Sequence, residues 1–303
     1  MTSKGRQAVG PGMTAFESHL ELRGSLVFTT ASRVGAGRTE EVTALDLPVI
    51  KTVDGRPYIP GSSFKGAWRA FTERILRTVQ EQPEVQERNL ACYSASKGQG
   101  RGPDEPPDLC LHAGEVQTLK IELRGDLNKL DRRLREQSCW TCRVFGAPWL
   151  ASKVLVRDLT VVEKTFLQTA VRDGVAIGRD TGTVSGGRKY QFEAVPAKTA
   201  FAVQIVVENA SPEELGLAWL GLRAMERGLI ALGGARSRGL GRCQFTPRWA
   251  ECRFIAAADL LPYPFGEAGM ADDEGWQRRT AGWVEAFKQT IGATEAGREA
   301  GHE

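Results

Sequence analysis

The run Tyr58-Ile59-Pro60-Gly61-Ser62-Ser63-Phe64-Lys65-Gly66 narrows the possible folds more than any other part of the chain. Proline and glycine close an extended stretch. Phe64, Trp68, Phe71, Ile75 and Leu76 then recur at helical spacing, which predicts a helix from Ser62 to about Val79. Ser62 or Ser63 is the expected N-cap. A Gly/Ser/Lys turn that opens a helix offers backbone N–H groups and a positive dipole end to an anion, usually phosphate. Just upstream, Ala44-Leu45-Asp46-Leu47-Pro48-Val49 sets one acidic side chain on a loop. A second Gly-rich segment contains Gly233, Gly234, Arg236, Arg238 and Arg242. Two phosphate-friendly loops point to a nucleic-acid backbone rather than a mononucleotide. Lys65 does not sit in G-x-x-x-x-G-K-[ST], so nucleotide hydrolysis is a poor reading.

At 303 residues the chain can bury a substantial core, as one large domain or one domain with insertions. Its net charge is only +3, so a nucleic-acid site must come from local clusters of Lys and Arg. No apolar run is long enough to span a bilayer. Residues 1–13 are polar and Gly-rich, without the apolar centre of a signal peptide, so a cytoplasmic location is expected. In that reducing setting the six cysteines are expected as metal ligands or buried thiols rather than disulfides. Cys139-x-x-Cys142 has the spacing of a zinc half-site, and Cys92 and Cys110 complete four thiolates for a structural Zn²⁺. His112 is an alternative to Cys110, and four free thiols are the plainer alternative. Cys243 and Cys252 fall on expected strands and are assigned to the core.

Residues 1–14 are expected to form a flexible arm. Phe16 to Thr30 alternates as a strand, and Leu47 to Lys51 and Arg56 to Ile59 are expected as short strands. Residues 81–142 form an insertion, irregular to Gly125 and followed by a charged helix from Leu127 to Gln137. Val154 to Val162 is a strand, residues 165–190 a protruding hairpin, and Phe201 to Glu208 a strand. Pro212 to Leu229 is a helix with acidic residues in its first turn. A strand at Arg242 to Phe245 follows. Residues 251–303 are a C-terminal extension with a possible strand at Cys252 to Ile255 and an amphipathic helix at Trp276 to Ile291. This order suggests an α+β fold of the ferredoxin-like kind.

Several motifs in order resemble the RAMP superfamily of CRISPR proteins, and within it the repeated backbone subunit of type III effector complexes. They are Asp46 to Val49, Tyr58 to Gly66, Val144-Phe145-Gly146, Ala151-Ser152-Lys153 with Asp158, Arg179 to Thr183, Glu193 with Pro196, and Gly233 to Gly241. Together they run from about residue 18 to 246. The resemblance implies a ferredoxin-like/RRM-like palm over residues 15–250 with a β-hairpin thumb at 165–190 and the cysteine-bearing insertion. It also implies assembly with further copies or paralogues and other type III subunits along one CRISPR RNA. The thumb would displace a base pair of the guide–target duplex, and complementary target RNA would be cut beside it. A structural zinc is known in relatives of the family.

The family's catalytic aspartate matches Asp46, so the chain is expected to be a metal-dependent endoribonuclease using Mg²⁺ or Mn²⁺. The expected RNA contacts are Arg33, Arg38, Ser62, Ser63, Lys65, Arg172, Arg179, Gly233, Gly234, Arg236, Arg238 and Arg242. For Asp46 the plain alternative is an Asx turn. For Ser62, Ser63 and Lys65 it is an N-cap and a surface lysine, and for the arginine loop a solvated hairpin. Phe166, Leu167, Val171, Val175 and Ile177 are wedge candidates, although Phe166 can instead pack on the palm. His19 lies on the first strand and is assigned a structural role. No histidine accompanies either Gly-rich loop, which makes CRISPR RNA processing the weaker activity. A non-catalytic RNA-binding scaffold is the remaining alternative.

Overall fold

The computed structural model describes residues 15–36, 47–81, 85, 89–92, 110–111, 113–177, 180, 184–259 and 273–292. In chain order they form β1 (Ser18–Phe28), β2 (Tyr58–Ile59), α1 (Gly61–Gln80), α2 (Ala113–Glu122), α3 (Leu127–Gln137) and α4 (Trp140–Phe145). Next come β3 (Val154–Val156), β4 (Leu159–Thr160), β5 (Ala170–Ile177), β6 (Val184–Ala194) and β7 (Ala200–Glu208). The chain ends with α5 (Pro212–Glu226), β8 (Cys243–Pro247), β9 (Arg253–Ala256) and α6 (Asp273–Ile291). The fold is mixed α and β with antiparallel sheets.

The main sheet runs β3-β7-β1-β8, and β9 also pairs with β1. β1 meets β7 from His19↔Glu208 to Val27↔Ala200, and β8 from Gly24↔Pro247 to Phe28↔Cys243, all antiparallel. Alternation explains the sheet: Leu20, Leu22, Leu26 and Phe28 of β1 face the helices together with Phe201, Val203, Ile205 and Val207 of β7. α1 follows β1, and α5 links β7 to β8, so both helices cross the same sheet.

α1 buries Phe64, Trp68, Thr72 and Leu76, four residues apart along one face. Trp68 lies edge-on to Phe145 with centroids 5.1 Å apart, and its indole N–H donates to the Ala218 carbonyl at 3.0 Å. The two helices approach closely because α5 carries Gly221 there. A Cβ at that position would lie 2.3 Å from Thr72 Oγ1 and 2.4 Å from the Trp68 ring. At the start of α5, Ser211 and Glu214 form a reciprocal capping box with proline in the first turn. β9 extends the sheet, and α6 packs Trp276, Trp283, Phe287 and Ile291 into the same core, so both elements are continuous with it. His19 faces Glu208 at 3.6 Å across the β1–β7 pair. Cys243 on β8 and Cys252 just before β9 are both buried.

Four expectations are corrected. α1 begins at Gly61, with Pro60 at its cap position and no side-chain cap; neither Ser62 nor Ser63 serves, because both lie inside the first turn. The strand expected over 154–162 is broken into β3 and β4 at Arg157-Asp158. Residues 113–122, read as irregular, form α2, whose described packing buries Val116 alone. Residues 47–51 make isolated bridges, Leu47 to Phe192, Val49 to Gly35 and Lys51 to Pro57, rather than a strand. The hairpin expected at 165–190 is present as the β5–β6 pair, joined antiparallel from Ala170↔Ala194 to Ile177↔Val184. No helix among the described residues is long and apolar enough to cross a membrane.

Candidate functional site

The broken strand has a local purpose. By turning out of β3, Asp158 brings its carboxylate to the start of α1, where Oδ1 accepts from the Gly61 N–H at 2.8 Å. A carboxylate therefore takes up one of the free N–H groups and complements the dipole there. Ser62 and Ser63 remain exposed on that first turn. Lys65 is half-buried, and its Nζ donates to Ser152 Oγ at 2.7 Å and to the Val154 carbonyl at 2.9 Å. Burial, with nearby Arg69, holds the Lys65 ammonium below its ordinary pKa. Two of its three donors thus tie α1 to the residues around β3.

The second Gly-rich segment is stitched to residues 31–35. Gly234 N–H donates to the Arg33 carbonyl at 2.8 Å, and Gly241 N–H to the Ala31 carbonyl at 2.8 Å. The glycines are required by this approach. At Gly233, with φ of 90°, a Cβ would sit 2.4 Å from the Arg33 carbonyl oxygen; at Gly241 it would sit 2.2 Å from that of Leu232. Arg236, Arg238 and Arg242 are exposed beyond this seam. Gly233→Ala is expected to destabilise the protein by roughly 2–3 kcal/mol, combining left-handed strain with overpacking. Gly239→Ala, where a Cβ meets nothing within 4 Å, isolates the strain. Equal losses in thermal midpoint for the two variants would show that the seam contributes nothing.

Arg238 reaches the hairpin, donating from Nη1 to the Tyr190 hydroxyl and lying 6.0 Å from the Tyr190 ring centroid. Tyr190 in turn covers Gly174 opposite it on β5. Arg172 is exposed on β5. Of the wedge candidates, Phe166 packs against the main core, whereas Leu167, Val171 and Val175 are exposed. The side chain of Ile177 lies outside the described residues, as do Asp46, Arg38, Arg179 and His112.

The backbone that follows Asp46 is clamped. Arg33 Nε donates to the Leu47 carbonyl at 3.4 Å, and the Glu193 N–H donates to the same oxygen at 3.0 Å. The Glu193 carboxylate is buried at 3 % exposure. It accepts from the Val49 N–H at 3.0 Å, from Lys51 Nζ at 2.5 Å and from the Thr169 hydroxyl. Burial works to raise its pKa, but the Lys51 ammonium, the Thr169 hydroxyl and the Val49 N–H together hold it below the ordinary value. Lys51, Thr169 and Tyr190 are outside the site expected from sequence. Nothing local marks them; Lys51 and Thr169 meet only at Glu193, once the hairpin folds back on residues 47–51, and Tyr190 meets Arg238 only where the hairpin reaches the Gly-rich loop.

Cys92, Cys110, Cys139 and Cys142 converge, all buried, with their sulfurs within 4.8 Å of one another. None forms a disulfide. Sulfurs at about 2.3 Å around a tetrahedral metal lie about 3.8 Å apart; Cys92 Sγ and Cys142 Sγ are 3.6 Å apart. The donor set and its spacing therefore fit a closed metal site such as zinc takes. Burial acts to raise the Cys139 thiol, yet hydrogen bonds with Cys110, Cys142, Cys92 and Thr141 hold it well below its usual range. Hydrogen bonds to neighbouring sulfurs push Cys92 and Cys142 up. α1 reaches the cluster through Arg69, which donates to Cys142 Sγ at 3.6 Å, and through Arg77, which donates to the Cys92 carbonyl at 2.6 Å. Glu73, buried between them, accepts from both.

The chain belongs to the RAMP superfamily, whose family model matches residues 25–244. It is similar to the CRISPR system Cms endoribonuclease Csm3 of Methanocaldococcus jannaschii. The two are 27% identical over 232 residues, covering 74% of this chain and 77% of that protein.

Proposed function

We propose that this chain is a repeated backbone subunit of a cytoplasmic type III CRISPR effector complex that holds CRISPR RNA and cuts complementary target RNA. One arrangement carries the proposal: the backbone next to Asp46, the Gly-rich loop and the base of the β5–β6 hairpin meet around Arg33. Strand order β3-β7-β1-β8 with helices after β1 and β7 supports reading the sheet as a ferredoxin-like palm. The hairpin then serves as its thumb, with exposed Leu167, Val171 and Val175 available to part base pairs. Arg33, Arg38, Arg172, Arg179, Arg236, Arg238 and Arg242 supply phosphate contacts, joined by Ser62, Ser63 and the end of Lys65. Gly233 and Gly234 support them by holding the loop against Arg33. Neighbouring copies and other type III subunits share the guide, and pairing rather than the protein reads its sequence.

Asp46 is the acid assigned to cleavage. Glu193 is committed to three donors, and the family resemblance assigns the hard divalent ion to Asp46. Mg²⁺ or Mn²⁺ suits one carboxylate plus phosphate oxygens and retains several waters. Such an ion would neutralise charge developing on the scissile phosphate. Asp46 itself would orient the RNA 2′-hydroxyl for in-line attack, leaving a 2′,3′-cyclic phosphate and a 5′-hydroxyl. The four buried cysteines would hold a structural Zn²⁺.

The test is cleavage of a labelled guide-complementary RNA by the assembled complex with Mg²⁺. Asp46→Ala is expected to slow cutting by at least about 10²-fold while guide and target binding persist. Cutting at the wild-type rate would move the activity to another residue or subunit. A wild-type complex that binds guide yet never cuts would identify a scaffold.

A further inference from the structure

We infer that Glu193 is the positioning residue for Asp46, an inference that rests on the assignment of Asp46 to cleavage. The observation is a buried carboxylate with every interaction directed at one task. Its Oε2 accepts from the Val49 N–H at 3.0 Å and its Oε1 from Lys51 Nζ at 2.5 Å, both on the segment that leaves Asp46. Thr169, at the entry to β5, donates its hydroxyl to the same Oε1. The main chain adds a fourth link, the Glu193 N–H to the carbonyl of Leu47, the residue bonded to Asp46. Leu47 and Phe192 form a parallel bridge beside it.

Other contacts to residues 47–51 include the Ile50 N–H to the Val34 carbonyl at 2.9 Å, the Tyr58 N–H to the Ile50 carbonyl at 3.4 Å, the Lys51–Pro57 bridge and the Arg33 bond to Leu47. Among the described residues, the Glu193 side chain ties the segment both to β6 and to the entry of β5. Residues 47–51 and the base of the hairpin are thereby held together. Misplacing a reacting group by about 1 Å costs on the order of 10²-fold in rate, so such a tether has a kinetic consequence without touching RNA.

The experiment compares wild type, Asp46→Ala, Glu193→Ala, Glu193→Gln and Lys51→Met in the assembled complex. It reads single-turnover cleavage, guide and target affinity, and hydrogen exchange at the Val49 amide. Glu193→Ala is expected to cut at least about tenfold more slowly at unchanged RNA affinity, with faster Val49 exchange. Glu193→Gln keeps an acceptor for Val49 and should recover most of the rate. Lys51→Met leaves the fold and the carboxylate in place, and should slow cutting a few-fold should Glu193→Ala fail to assemble. Wild-type rates in both Glu193→Ala and Lys51→Met, with Asp46→Ala inactive, would overturn the Glu193 role alone. Lost RNA binding in Glu193→Ala would assign it to guide retention instead, which also overturns the role. An active Asp46→Ala would remove the assignment on which it rests.

Discussion

Stripping metal from the cysteine cluster is expected to lower the thermal midpoint of this protein by about 10 °C or more and to open its cysteines to alkylation. The cluster adds to links already present, because the Trp140 and Thr141 N–H groups of α4 donate to the Asn89 and Leu90 carbonyls just before Cys92. Cys139 and Cys142 sit at the head of α4, and all four cysteines are buried. α4 contributes Trp140, Val144 and Phe145 to the main core, with Trp140 edge-on to Phe287 of α6 at 5.8 Å. Loosening the cluster therefore loosens core contacts as well. Four thiolates closing on Zn²⁺ release on the order of 10 kcal/mol at neutral pH, comparable with the stability of a whole domain. One zinc per chain is expected by elemental analysis, and a cobalt-substituted sample should show thiolate-to-metal charge-transfer bands. Because the ligands must lose protons to bind, metal should be released progressively as pH falls. Cys142→Ser is expected to reproduce the loss at neutral pH. A chain purified without metal, whose midpoint ignores chelator and whose cysteines alkylate readily, would reduce the cluster to four thiols.

Much of this architecture is legible in the sequence where the signal is local. The apolar stripe from Phe64 to Leu76 yields α1, alternation yields the strand at 200–208, and Pro212 with its acidic first turn yields α5. The cysteine spacing also announces its cluster. What escapes is decided by distant partners. The break at Arg157-Asp158 exists because Asp158 caps α1, so the serines that look like caps are released from that duty. The glycines at 233 and 241 resemble phosphate-loop glycines, yet each is needed where a carbonyl lies within 2.4 Å of the position a Cβ would take. α2 lacks an apolar stripe because it rests on a small cluster with Leu111, Leu134 and Trp149 rather than on the main core. Glu193 stands in the sequence as one conspicuous acid near a proline. Its work becomes visible only when residues 47–51 are laid across it.

Glu214→Ala is expected to cost about 4–6 kcal/mol, because one carboxylate serves two needs. Its Oε2 accepts from the Ser211 N–H at 3.0 Å, closing the capping box of α5. The same oxygen accepts from Lys153 Nζ at 2.6 Å, and that lysine is fully buried. Lys153 also donates to the Asn209 carbonyl at 2.5 Å, which leaves Glu214 as its described countercharge. Burial already lowers the Lys153 pKa, with Glu214 opposing the shift. Without Glu214 the shift deepens, so over the window below the unfolded lysine value the unfolded chain binds more protons than the folded one. Stability of the variant then rises with pH, and its deficit against wild type should narrow between pH 7 and pH 9.5. A deficit from the lost cap alone would not change with pH. The double variant Lys153→Met/Glu214→Leu should recover most of the loss, because a packed apolar pair removes the buried charge together with its need for a partner. Denaturant unfolding of wild type and the two variants at both pH values separates these terms, and a pH-independent deficit that the double variant does not relieve would show that the ion pair contributes little.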